Sequence, residues 1–320
     1  MSAPLVEIDN LNVRFHGPRT VHAVNGVSLR LEAGETLGIL GESGSGKSVT
    51  LKTLLRLLPE HRTEIGGSVR VDGVDILSLD GRALADHRGG VASMIFQDPM
   101  LALDPVYNIG EQIAEAVMRH EGCDKAAGWA RALDMLTRVR IPSPERRLKA
   151  YPHEMSGGMR QRAMIALALA CRPKLLLADE PTTALDATVQ IQILLLLREL
   201  QREFGMGMIF VTHDIGVAVE VSDRVAVMYA GEIVESGSVR DLIRDPRHPY
   251  TKGLLAANLH GAVKGARLQA IPGAPPALDS VPASCSFAPR CPMKLASCDL
   301  ARPPVAVPAP GRSVRCVLAG

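Results

Sequence analysis

The chain opens on alternating apolar and polar positions. Val6, Ile8, Leu11, Val13 and Phe15, then Val24 to Leu31, predict short strands joined by turns. Leu37 to Leu40 is a brief apolar run between Gly34 and Gly41, which suits a buried strand, and a glycine-rich turn leads from it into a helical pattern over Lys47 to Leu58. From about Met100 to Arg162 the apolar spacing shifts to threes and fours, as in Ile109, Ile113, Ala116 and Val117 and later Ala132, Leu133 and Leu136, which predicts a helical insert. Strand patterns resume at Leu175 to Ala178, Met208 to Val211 and Val225 to Met228, with a helix from Ala187 to Phe204 between the first two. Strands alternating with helices predict an α/β fold with a mainly parallel sheet. Beyond Leu259 the chain turns rich in Pro, Gly and Ala, with Pro272, Pro275, Pro276, Pro282 and Pro289, and little regular structure is expected there.

At 320 residues there is room for one large core and an extension. The 36 basic and 34 acidic residues leave a formal charge of +2 with no long basic block, which argues against nucleic acid as a partner. Hydrophobic residues make up 47% but aromatic residues only 3%, a balance that suits a soluble α/β protein. The most apolar candidate for a membrane span, Ala163 to Ala178, is interrupted by Arg172, Pro173 and Lys174. The opening MSAPLVEIDN lacks the basic and apolar regions of a secretory signal, so the expected compartment is the cytosol, with any membrane link made through a partner.

Chemistry enters at Gly41, Glu42, Ser43, Gly44, Ser45, Gly46, Lys47 and Ser48, which fit G-x-x-x-x-G-K-[ST] between a predicted strand and a predicted helix. Successive loop N–H groups and the helix N-terminus suit phosphate oxygens. Lys47 is placed to reach the β- and γ-phosphates and Ser48 to bind Mg²⁺. The bland alternative is an ordinary Gly/Ser turn. Leu175 to Ala178 then delivers Asp179 and Glu180 at a strand's C-terminal end, where open α/β sheets bind ligands. Asp179 suits Mg²⁺ through its water shell and Glu180 the attacking water; the structural alternative is that Asp179 only caps the next helix.

Between these motifs stands Met155, Ser156, Gly157, Gly158, Met159, Arg160, Gln161, Arg162, and here the chain resembles the ATP-binding-cassette (ABC) family, whose signature is usually L-S-G-G-Q. Met155 and Met159 depart from that string, outside the Ser-Gly-Gly. The resemblance implies a P-loop NTPase of ABC type, with an antiparallel β subdomain, a helical subdomain and an irregular cysteine-containing C-terminal extension. It implies that Ser156, Gly157 and Gly158 of one subunit close over the γ-phosphate held by another, so that hydrolysis needs a dimer. Gln97, in Ile95-Phe96-Gln97-Asp98-Pro99, is similar to the Gln loop that contacts Mg²⁺ and joins the core to the helical insert. Ala184-Leu185-Asp186 looks like the D-loop that touches the opposing subunit, and His213 like the switch histidine on the γ-phosphate. Phe15 is similar to the aromatic residue that stacks on adenine, although an isolated Phe in a strand is also an ordinary core residue.

Arg247, His248, Pro249, Tyr250 and Thr251 resemble the H-P-Y-T segment of dipeptide, oligopeptide and nickel importer ATPases. The expectation is an ATPase subunit for di- or oligopeptide uptake at the cytoplasmic face of the inner membrane. Nickel, glutathione or another small solute is the nearest alternative. A soluble cassette ATPase of translation or DNA repair is disfavoured by a single cassette without sustained heptads or a basic arm, and a regulator without turnover by the presence of Lys47, Asp179, Glu180 and His213. Expected partners are a second ATPase subunit in a heterodimer, two transmembrane permeases and, indirectly, a substrate-binding protein. Expected boundaries are 1–259 for the nucleotide-binding domain, with a helical subdomain at about 98–162, and 260–320 for the extension. Cys285, Cys291, Cys298 and Cys316 lie in that Pro-rich segment; their chemistry leaves a [4Fe–4S] cluster, a zinc site or free thiols open, and family resemblance points to the cluster. Cys123 and Cys171 read as small buried residues of helices.

Overall fold

The computed structural model describes residues 3–183, 185–257 and 271–319. The chain forms two compact units. The first comprises Met1–Leu31, Thr36–Leu77 and Phe210–Gly320, and the second Glu32–Glu35 and Ser78–Ile209. The boundary expected at residues 259 and 260 lies outside the described residues.

In the first unit, strands Val6–Phe15 and Val21–Leu31 pair antiparallel, and Thr63–Val71 and Val74–Asp75 extend the sheet on the other side of Val6–Phe15. Val6 lies opposite Leu31 and Val71, and Ile8 opposite Leu29 and Val69, so these side chains share one buried face. The buried positions then jump from Ile8 to Leu11, a change of phase explained by a bulge: both ladders shift register here and Asn10 takes a φ of 48°. Gly67, at φ 92°, lies so close that a Cβ would stand 2.4 Å from the Asn10 carbonyl oxygen.

Five further strands of this unit lie in the order Ala306–Ala309, Arg312–Val314, Glu232–Ser238, Arg224–Tyr229, Thr36–Leu40. Thr36–Leu40 is buried throughout and parallel to Arg224–Tyr229, which returns antiparallel as Glu232–Ser238 through Ala230 and Gly231, both at positive φ. The described C-terminal segment, 271–319, is largely irregular, as its proline content predicts, but it adds two short strands to this edge and is tied down by charge. The buried Glu235 carboxylate accepts the Arg247 and His248 N–H groups, each at 2.9 Å, and pairs with Arg312, while the buried Glu232 accepts from Ser286 Oγ at 2.6 Å and pairs with Arg302. Carboxylates so enclosed are stable only when paired and hydrogen-bonded, as these are. Around them Tyr229, Tyr250 and Phe287 pack with centroids 4.6 to 5.4 Å apart, onto Leu40, Val227 and Val234.

In the second unit the parallel strands Ala92–Ile95 and Leu175–Asp179 stand beside a set of helices. Ile109–Glu121 begins with a capping box of Asn108 and Glu111 and ends at left-handed Gly122, and Lys125–Arg138 is capped by Asp124. Ile109, Ile113, Val117, Ala132 and Leu136 are buried, the stripe that spacing of threes and fours implies. Gly128 lets the helices approach, since a Cβ there would meet the Ala114 carbonyl oxygen at 3.0 Å.

Candidate nucleotide site

In the first unit, strand Thr36–Leu40 ends at Gly41, and helix Lys47–Leu54 begins six residues later. The helix stops at Leu54 rather than Leu58, because Arg56 turns left-handed at φ 48° and the Leu57 N–H bonds back to the Lys52 carbonyl. The intervening loop tolerates only glycine at two points. A Cβ on Gly41 would lie 2.2 Å from the Met228 carbonyl oxygen, and one on Gly46, at φ 102°, would lie 2.4 Å from that of Ala23. Gly44, at φ 78°, faces open space, and the exposed Ser43 precedes it. Lys47 is 4% exposed, and its ammonium donates to the carbonyls of Gly41 (2.7 Å) and Glu42 (2.9 Å). The Ser45 carbonyl accepts from Gly231 N–H at 2.9 Å, anchoring the loop to the turn after Tyr229.

This loop fits a triphosphate. The buried Ser45 Oγ has no hydrogen-bond partner among the described residues, an unusual state for an enclosed hydroxyl and one that a phosphate oxygen would relieve. Gly44 is exposed at the loop's tip, and Ser48, half-buried, sits in the first turn of the helix, whose N-terminus suits an anion. Phe15 closes the strand Val6–Phe15 opposite Val21 and Thr63, half-buried, and His213 is exposed in the bend after strand Gly207–Thr212.

In the second unit, the strand Leu175–Asp179 delivers Asp179 buried and Glu180 half-buried at its end. Glu180 adopts φ 46°, a left-handed conformation that a side chain enters only at a cost, and such strain concentrates at functional sites. Its carboxylate accepts from Thr183 Oγ1 at 3.0 Å. Ser156 caps helix Gly157–Leu169 through Met159 N–H, and a Cβ on Gly157 would meet nothing within 4 Å, so the helix N-terminus lies open. Asp186 is exposed and caps helix Ala187–Phe204 through Val189 N–H at 3.0 Å; Ala184 lies outside the described residues. Gln97 is exposed in a bend two residues after strand Ala92–Ile95 ends, and Asp98 caps the short helix that follows.

A family model described as "ABC transporter" matches residues 24–183, and one described as "Oligopeptide/dipeptide transporter, C-terminal region" matches residues 234–298. This chain belongs to the ABC transporter family. Among relatives of this ABC protein, the oligopeptide transport ATP-binding protein OppD of Salmonella typhimurium is 50% identical, over 98% of this chain and 93% of that one. The dipeptide transport ATP-binding protein DppD of Bacillus subtilis is 47% identical over 98% and 94%. The ATP-binding cassette MJ0796, solved as a dimer in a post-hydrolysis state bound to ADP and Pi, is 30% identical with a TM-score of 0.66, covering 73% of this chain and 99% of that one. The ABC protein is therefore an ATPase with the P-loop NTPase fold of its family, α/β with antiparallel strands and a helical part, and ATP is its nucleotide.

The cysteines depart from expectation. Among the described residues, which include all four C-terminal cysteines, no group of three or more His, Cys, Asp or Glu is arranged to hold a metal ion, so the structure does not support the [4Fe–4S] cluster or zinc. Cys285 and Cys291 instead pack as small apolar side chains against the aromatic cluster. Burial pushes the Cys285, Cys291 and Cys316 thiols up, and neighbouring cysteines raise them further. Cys123 and Cys171 are half-buried rather than enclosed: Cys123 stands between two helices, and Cys171 donates to the Ala116 carbonyl, its thiol raised to about 11 by burial.

Two residues inside the quoted motifs gain a contact that the motifs alone do not state. Gln161, 2% exposed, donates through Nε2 to the Pro181 carbonyl just after Glu180. Tyr250 Oη accepts from the Glu42 N–H at 3.0 Å, which gives the H-P-Y-T segment a place at the phosphate loop.

Proposed function

We propose that this chain is the ATP-hydrolysing subunit that powers uptake of di- or oligopeptides across the cytoplasmic membrane, bound peripherally to two permease subunits fed by a substrate-binding protein. The reading is carried by one observation: identity of 47 to 50% to oligopeptide and dipeptide transport ATP-binding proteins runs over nearly the whole chain, through the H-P-Y-T segment and the C-terminal region. Among the described residues no helix is long and apolar enough to cross a membrane. Met100, Leu101, Val106 and Tyr107 follow Gln97 as exposed apolar residues of the helical insert, Leu101 at 83%, and offer a surface for that permease.

The proposed roles follow the family resemblance. Gly41, Ser43, Gly44, Ser45, Gly46 and Lys47 hold the phosphates, and Phe15 stacks on adenine. Ser48, Gln97 and Asp179 serve Mg²⁺, which would neutralise charge developing on the phosphates. Glu180 orients water and His213 contacts the γ-phosphate. Ser156, Gly157, Gly158 and Asp186 act on a second ATPase subunit, a different chain in the proposed heterodimer.

The test is reconstitution with the cognate permeases and binding protein. ATP-dependent uptake of labelled peptide is expected, abolished by Glu180→Gln while ATP binding persists. Uptake of nickel or glutathione in place of peptide would overturn the substrate assignment. Iron and sulfide analysis of anaerobically purified protein tests the cysteines separately: about four iron per chain would restore the cluster, and none would retire it.

A further inference from the structure

Glu42 is the second residue of the phosphate loop, and its carboxylate faces a guanidinium from far along the chain. Arg290 Nη1 donates to Oε2 at 2.7 Å and Nη2 to Oε1 at 3.0 Å, a bidentate pair with Arg290 only 8% exposed. The other three N–H donors are also spent. Nε bonds the Pro272 carbonyl at 2.9 Å, Nη2 the Ile271 carbonyl at 3.3 Å and Nη1 the Tyr229 hydroxyl at 3.4 Å. A site that satisfies all five donors of a guanidinium is built for arginine, and the single point charge of lysine could not replace it.

The backbone of Glu42 is held at the same time. Its N–H donates to Tyr250 Oη, and its carbonyl accepts from Lys47 Nζ, the group that the motif directs to phosphate. Side chain, N–H and carbonyl of one loop residue are thus fixed by Arg290, Tyr250 and Lys47. An unpaired carboxylate here would sit two residues from Gly44 and repel any incoming polyanion, because partial burial weakens solvent screening.

We propose that Arg290 is a positioning residue for the ATP site: by holding and neutralising the Glu42 carboxylate, it keeps the phosphate loop in shape and electrostatically open to a nucleoside triphosphate. The inference rests on the reading of this loop as the ATP site. It makes the C-terminal segment a functional part of that site, with Arg290 touching Glu42 and not the nucleotide.

The experiment is a double-mutant cycle on the full-length chain, read by titration with a fluorescent ATP analogue and by steady-state kinetics with the partner subunits. Arg290→Met is expected to weaken ATP binding about tenfold or more, the scale of one poorly screened charge beside the phosphates, and to raise KM with kcat within about threefold. Arg290→Met combined with Glu42→Gln is expected to recover affinity to within about threefold of wild type, because the charge that Arg290 neutralised is then gone. A purely structural Arg290 would not be rescued in this way, so failure of the second change to restore affinity overturns the proposal, as does an unchanged affinity in folded Arg290→Met. Should Arg290→Met not fold, Glu42→Gln alone decides: equal or tighter ATP binding supports neutralisation, and tenfold weaker binding refutes it. Wild-type protein that fails to bind ATP at all would instead defeat the underlying reading of the loop.

Discussion

The Gln161 side chain reaches from the helix that opens with Ser156-Gly157-Gly158 to the Pro181 carbonyl, one residue beyond Glu180. The signature helix and the acidic strand end are thereby tied by a buried hydrogen bond within the second unit. Gln161→Ala would strand a carbonyl that lies buried with it, at a cost of about 1 to 3 kcal/mol. The expected outcome is a melting point lowered by several degrees and a kcat for ATP hydrolysis reduced about tenfold, with ATP affinity at the phosphate loop nearly unchanged. Equal loss of affinity and turnover would deny Gln161 a role specific to the Glu180 turn.

Glu180 separates strain from chemistry. Glycine accepts a φ of 46° without a Cβ penalty, so Glu180→Gly is expected to hold or raise stability, by up to about 1 kcal/mol, while abolishing hydrolysis. Glu180→Gln keeps the strained backbone and should retain ATP binding while turnover falls by orders of magnitude. Denaturant unfolding beside a phosphate-release assay checks both. Turnover in either variant near the wild-type rate would remove Glu180 from the water-orienting role.

The loop glycines differ in what they forbid. At Gly46 an added methyl collides with a backbone oxygen 2.4 Å away, at a positive φ, whereas at Gly44 only the positive φ opposes it. Gly46→Ala is expected to lose well over 1 kcal/mol of stability together with ATP binding, and Gly44→Ala only about 1 kcal/mol. Thermal melts with and without ATP separate the two. Similar losses at both positions would mean that the close approach at Gly46 is unimportant.

These contrasts show what a linear reading can reach. The phosphate loop, Asp179 with Glu180, and Ser156-Gly157-Gly158 were legible because each chemistry is carried by adjacent residues whose order survives folding. The Glu42 to Arg290 pair spans 248 positions, and no local pattern announces it. Strand Thr63–Val71 carries almost no sequence pattern, because only Val69 and Val71 are buried and Gly66 and Gly67 interrupt it, which leaves too short an alternation. The described part of the proline-rich tail, 271–319, is as irregular as its composition predicts, with only short strands and 3-10 turns. Its order comes from partners elsewhere in the chain, the buried carboxylates of Glu232 and Glu235, rather than from its own propensity.

His248 supplies a dependence on pH. It is 1% exposed, its Nδ1 accepts from the Tyr250 N–H at 3.0 Å, and burial lowers its pKa to about 4. An unfolded histidine titrates near 6.5, so between pH 6.5 and 4 the unfolded chain binds a proton that the folded chain refuses. Stability from this residue is therefore level above pH 6.5, falls as the pH drops through that window, and levels off again below about 4. Between pH 7.5 and 5 the loss is on the order of 2 kcal/mol. His248→Asn retains an oxygen able to accept from Tyr250 N–H but has no proton to gain, so its stability should change less over the same interval by about that amount. Urea unfolding of both proteins at the two pH values measures the difference. Parallel curves would show that His248 is protonated in the folded state or that the segment opens before it titrates, and either would remove it as the source of acid sensitivity.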